Sequence, residues 1–281
     1  MSLPTARLDL LTRQFWRLSG RPVDLTGDEA WLAAPMSPGP SVGDAWVEPT
    51  ALAWGGQALD RPHAGLLADM AQLDGSGFRA ADLRPEIRDF YEHTSDWRME
   101  VWTQWSPLFQ PGGELVSRLF GRRVQQLALP TRPLEVAHGM DSRVTVLTDA
   151  TGAQRAAAWL RTLRSSGEYV YSGCYSVRTL PGSTQPGVHV AFPLESGDVQ
   201  VFLRPRLLPS GGLELASPAG RFGQDGAYVV VDHRGTHAAR APIHEVFRLD
   251  VDDEGTLRTD HTLSLWSAPA VRLHYKLTRA D

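Results

Sequence analysis

From about residue 141 onward, apolar side chains recur at every second position in short runs, and no helical period interrupts them. Such alternation marks strands with one buried face. The candidate strands are 141–149, 154–164, 168–178, 187–194, 198–208, 212–217, 226–232, 241–251, 256–266 and 270–279. Turn signals separate them, among them Gly152, Ser166-Gly167, Pro181-Gly182, Ser196-Gly197, Ser210-Gly211-Gly212, Asp253-Glu254-Gly255 and Ala268-Pro269. Strands joined by short turns pair antiparallel in a meander. Ten strands in succession accumulate twist and leave edges, so the expectation is a sheet that curls or nearly closes.

The N-terminal part reads differently. Leu8, Leu11, Phe15 and Leu18 recur at helical spacing over residues 5–19, and Gly20 with Pro22 supplies a stop. Residues 20–63 are rich in Pro, Gly and Trp, with a short helix expected near residues 28–33. Trp31, Trp46 and Trp54 make this stretch an ordered wrap anchored by aromatics, not a free linker. A short helix is expected over residues 64–74. A stronger one starts at Arg84, with Pro85 at a first-turn position where its missing N–H costs nothing. Trp97, Val101, Trp102 and Trp105 are expected to continue a helical aromatic face to Pro107, and Pro111 opens a last helix through Phe120.

Composition narrows the function. Hydrophobic residues make up 42% and charged residues 21%, ordinary for a globular chain. A formal charge of −4 leaves no general basic field for a nucleic-acid backbone. No apolar run approaches the roughly 18 residues of a membrane span. Arg7, Asp9, Arg13 and Arg17 interrupt the apolar centre that a secretory signal would need. Cys174 is the single cysteine and makes neither an internal disulfide nor a thiolate metal site alone. The expected location is cytoplasmic. Lys276 is the only lysine, an arginine bias that fits codon usage better than a demand for anion-binding forks.

Familiar catalytic and cofactor motifs are absent, and no cofactor or metal is expected. Gly220, Gly223 and Gly226 precede a strand, whereas a phosphate cradle needs a helix N-terminus. Asp250, Asp252 and Glu254 begin like a calcium loop, but His261 stands where the bidentate glutamate belongs. His244-Glu245 lacks a second histidine four residues on, and no Gly-x-Ser-x-Gly elbow occurs. Arg118, Arg122 and Arg123 around Leu119 and Phe120 read as a solvated helix end.

The last three strands carry the sharpest local argument. With Asp253-Glu254-Gly255 as the turn, Phe247 faces His261 and Glu245 faces Leu263. A five-residue loop after Leu265 would set His261 opposite Tyr275. Glu245, His261 and Tyr275 then break an otherwise apolar inward face as candidate catalytic residues. If Glu245 holds one imidazole nitrogen, the other serves as base or ligand contact. Candidate ligand-binding residues are Arg161, which shares a parity with Trp159; Tyr171, grouped with Tyr169 and Tyr175; Arg204, which shares a face with Phe202; and Trp102 with Trp105.

Phe90-Tyr91-Glu92 near a helix start, Trp159-Leu-Arg161-Thr-Leu-Arg164, Gly212-Leu-Glu-Leu215 and Leu273-His-Tyr275 resemble a bacterial family of unknown function. Its members are sometimes fused behind a saccharopine-dehydrogenase-like domain. The resemblance covers residues 84–281, implies a β-rich fold and transfers no catalytic residue.

The expected fold is α+β: a helical N-terminal third packed on a large, strongly curved antiparallel sheet or incomplete barrel of calycin-like form. Residues 1–80 would form the helix and wrap, and 81–281 the helices and sheet, as one structural unit. The leading functional expectation is binding of an apolar or amphipathic small molecule in the sheet's cavity. A cofactor-independent isomerase, cyclase or hydrolase using a His–Glu pair is the second expectation. A structural or interaction module using the Trp-rich wrap is the third.

Overall fold

A computed structural model describes residues 13–39, 42–106 and 139–280. The expected helix from Pro111, the basic cluster at Arg118 to Arg123 and the start of the first helix lie outside them. Among the described residues strand accounts for 48% and helix, 3-10 turns included, for 15%, with three small α-helices. The expectation of an α+β, calycin-like fold with a packed helical third is therefore corrected: the protein is mostly β, built on one large open antiparallel sheet.

Two local causes explain the correction. Prolines and glycines divide the first hundred residues into short pieces: α1 (residues 13–19), β1 (Arg21–Pro22), α2 (Val47–Ala53), β2 (Ala58–Leu59), α3 (Pro85–Glu92) and several single 3-10 turns. Secondly, the aromatic run expected as a helix is strand β3 (Trp97–Trp105). Its partly buried residues alternate with exposed Arg98, Glu100, Trp102 and Gln104, a period of two, and the open edge of β14 (Ala268–Arg279) supplies its backbone partners. Helix α3 is as strong as the sequence indicates, with Pro85 in its first turn and Ile87, Phe90 and Tyr91 buried.

The remaining strands, besides β14, are β4 (Met140–Thr148), β5 (Gln154–Leu163), β6 (Tyr169–Arg178), β7 (Gly187–Leu194), β8 (Gly197–Leu207), β9 (Leu213–Ala216) and β10 (Gly226–Asp232). Then come β11 (Thr236–Ala241), β12 (Ile243–Val251) and β13 (Leu257–Leu265). Ten of the strands from β4 to β14 follow the expected pattern, and β11, paired with β10, is not among those expected. The order along the sheet is β2-β4-β5-β6-β7-β8-β9-β12-β13-β14-β3. The sheet forks at β8: residues Gly197 to Phe202 pair with β10, and Arg204 to Leu207 pair with β9. The β10–β11 hairpin, extended by β1, thus forms a side branch.

Three apolar clusters divide the faces. The largest lies on the inner face, where Leu66, Leu67, Met70, Phe90 and Tyr91 of the segment around α3 cover residues from β4 to β14. On the outer face, Trp46, Val47 and Ala51 of α2 cover Ala158, Leu160 and Cys174. Leu32 and Trp31 cover Phe202, Tyr228 and Val230 of the branch. The wrap is thus spent on packing: Trp46 is fully buried, and its indole donates to Ser172 Oγ at 2.9 Å. No described helix is long and apolar enough to cross a membrane.

Candidate functional site

Inward residues of β3 to β9 and β12 to β14, with Leu66, Phe90 and Tyr91 beneath α3, enclose a cavity of about 410 Å³. One set of strands brings Trp159, Arg161, Tyr171 and Tyr175, and another brings Glu245, His261 and Tyr275. Their meeting at one cavity requires the sheet to bend, although its two ends, β2 and β3, do not pair with each other. Most of the wall is aliphatic or aromatic, so its few polar groups stand out.

Arg161 is the most unusual of these. It is 8% exposed, no described carboxylate pairs with it, and its Nε has no hydrogen-bond partner. Its guanidinium carbon lies 5.8 Å from the Trp159 ring centre, and the Tyr275, Tyr171 and Tyr175 phenols are its electrostatic neighbours. Burial lowers its proton affinity, and those phenols offset part of the effect. A bulge opposite Arg161 sets its aim: Arg161 pairs with Tyr171, but Thr162 pairs with Tyr169, leaving Val170 extra. Val170 and Tyr171 therefore both line the cavity. Tyr169, expected on their face, turns outward against the α2 cluster, where its hydroxyl bonds Asp44.

The two inward tyrosines share a hydrogen bond of 2.6 Å between their hydroxyls. Gly173 between them makes this possible, because a Cβ there would stand 3.1 Å from the Tyr171 ring and hydroxyl. Burial pushes the phenols of Tyr171, Tyr175 and Tyr275 up, so all three stay protonated at neutral pH.

The C-terminal constellation faces the same cavity. The β12–β13 register follows the expected pairing, with Phe247 opposite His261 and Glu245 opposite Leu263. The next hairpin is corrected by two residues: Thr259, not His261, lies opposite Tyr275. A tight turn at Trp266, with φ 53°, and a bulge at Leu263/Ser264 replace the expected five-residue loop. A shift of two keeps each side chain on its face, so the three groups remain neighbours. His261 stacks on Phe247 at 3.7 Å, its Nδ1 is 3.4 Å from the Tyr275 hydroxyl, and its buried Nε2 has no hydrogen-bond partner. Glu245 Oε2 lies 4.0 Å from that Nε2, too far for the expected orienting hydrogen bond. Burial drives the carboxyl up to about 7 and the imidazole down to about 3. At neutral pH the imidazole is uncharged and the carboxyl is near its midpoint.

Of the candidate ligand-binding residues, Arg161, Tyr171 and Trp105 line the cavity, and two others do not. Trp102 is 52% exposed beside His274, because a strand sends residues three apart to opposite faces. Arg204 does share the Phe202 face, but that is the outer face, and its Nε donates to Asp225 at 2.7 Å. Tyr91 and Leu66 escaped sequence reading because they enter from the covering segment, which carries no alternation. The Tyr171-x-Gly173-x-Tyr175 spacing was a usable signal for two rings meeting over a gap. Cys174 is buried behind the cavity wall and its thiol is pushed up to about 12. No described cluster of His, Cys, Asp and Glu is arranged to hold a metal ion.

No family model, curated protein or solved structure matches the chain.

Proposed function

We propose that this protein binds an apolar or amphipathic small molecule inside the cavity on the inner face of its sheet. The observation that carries the reading is the enclosure of about 410 Å³ by a largely apolar wall with a few convergent polar groups. That volume lies within the range of about 300–1,000 Å³ usual for small-molecule sites. Titration with Nile red, a neutral apolar dye, tests the reading. Saturable one-site binding is expected, and Val101→Trp combined with Leu263→Trp, both on the wall, should abolish it while the fold persists. A folded wild-type protein with no saturable dye binding would end the proposal.

The enzymatic alternative narrows from the expected His261–Glu245 pair to Glu245. An uncharged imidazole pushed down to about 3 is a poor general base, whereas a carboxyl near 7 is well placed for proton transfer. A cofactor-independent isomerase, cyclase or hydrolase would thus use Glu245. Turnover of a retained ligand that Glu245→Gln abolishes without weakening its binding would select this alternative.

A further inference from the structure

We infer that the ligand of this cavity carries one compact anionic head of the carboxylate class, and that Arg161 is its anchor. The inference rests on the binding function proposed above and names the chemistry of its ligand. An arginine stays protonated in proteins, so the charge of Arg161 must be compensated where it sits. Other arginines of the sheet and its cover have partners: Arg206 and Arg248 hold Glu214, Arg164 holds Asp141, Arg88 holds Glu92, and Arg178, whose Nε likewise lacks an acceptor, donates through its terminal nitrogen to the Ala33 carbonyl. Arg161 has no such partner among the described residues, and its Nε is a buried donor without an acceptor.

Glu245, the one carboxylate among the described residues of the cavity wall, does not serve as the counterion. Its oxygen lies 4.0 Å from His261 Nε2, and it makes no ion pair with Arg161 within that distance. The surroundings of Arg161 are rich in donors: Tyr171, Tyr175 and Tyr275 each carry a hydroxyl that remains protonated. A cation among hydroxyl donors, in an apolar enclosure, is a receptor for an anion. The planar guanidinium fork matches a carboxylate with two parallel N–H···O bonds, and the remaining wall suits an apolar tail.

The test compares decanoate with 1-decanol, molecules of equal chain length that differ in the head, by displacement of Nile red at pH 7.5. Charge-assisted hydrogen bonds of this kind correspond to a preference for the acid of about tenfold or more. Arg161→Met should reduce that preference to within about twofold, each ligand's displacement being referred to the variant's own dye affinity, while far-UV dichroism shows the folded state kept, since removing an uncompensated buried charge does not unfold the chain. Arg161→Lys should retain part of it. Equal affinity for acid and alcohol in the wild type, or an acid preference that survives in Arg161→Met, would overturn the inference and leave the cavity as an apolar site. Failure of the wild type to bind Nile red would instead remove the underlying binding function.

Discussion

A carboxyl group buried in an apolar enclosure without a cation beside it holds its proton more tightly than the same group in water, and Glu245 is in that position. Its native value of about 7, against an ordinary 4.5, means that the native state keeps a proton the unfolded chain releases between those limits. Stability therefore falls as pH rises through that window, by about 3 kcal/mol in total for this group. His261 acts in the opposite sense: pushed down to about 3, it makes the native state gain stability as pH rises from 3 to 6.5. Glu245→Gln leaves the His261 contribution common to both proteins, so the difference isolates the carboxyl. Urea unfolding at pH 4.5 and 7.5 should show the variant gaining on the wild type by about 3 kcal/mol between the two. A difference that stays constant with pH would mean that Glu245 is solvated or paired. The identity of this group was legible in the sequence as a break in an apolar face. Its separation from His261 was not, because a gap of one ångström between side chains leaves no trace in spacing.

Strand β3 shows where an element misleads. Trp97, Val101, Trp102 and Trp105 fit a helical stripe as well as a strand, since a short aromatic run satisfies both periods. What decides is distant: β14 offers an unpaired edge, and nothing near residue 97 records that edge. The meanders β4 to β9 and β12 to β14 were legible because each strand there follows its partner in sequence and turn residues separate them, whereas the fork that pairs β8 with β10 and β9 with β12 was not. The bulge at Val170 was not, and it sends Tyr169 to the opposite face from Tyr171. The two readings of β3 make different demands on Trp102 and Trp105. On a strand, Trp102→Ser should leave Nile red affinity within about twofold, whereas Trp105→Ser should weaken it by about tenfold through lost apolar contact. Equal losses from both would restore the helical reading and remove β3 from the cavity wall.

At the scale of the whole molecule, an inner face built around a hollow must be offset by dense packing elsewhere. The outer face supplies it: α2 and the preceding wrap bury Trp46 completely against β4 to β6, and Ser172 accepts from that indole while donating to the Gly43 carbonyl at 2.5 Å. The Trp-rich segment is thereby part of the sheet's packing. It also fixes β5 and β6 from behind, the strands that present Arg161, Tyr171 and Tyr175 to the cavity. Trp46→Ala removes a fully buried ring and its hydrogen bond, a loss of about 3–5 kcal/mol. If wrap and sheet fold as one unit, far-UV dichroism and tryptophan fluorescence will report the same single transition, at a lower urea midpoint than the wild type. Two separated transitions, with the sheet melting at its original midpoint, would show that the wrap folds independently. The cavity's geometry would then be set by the sheet alone.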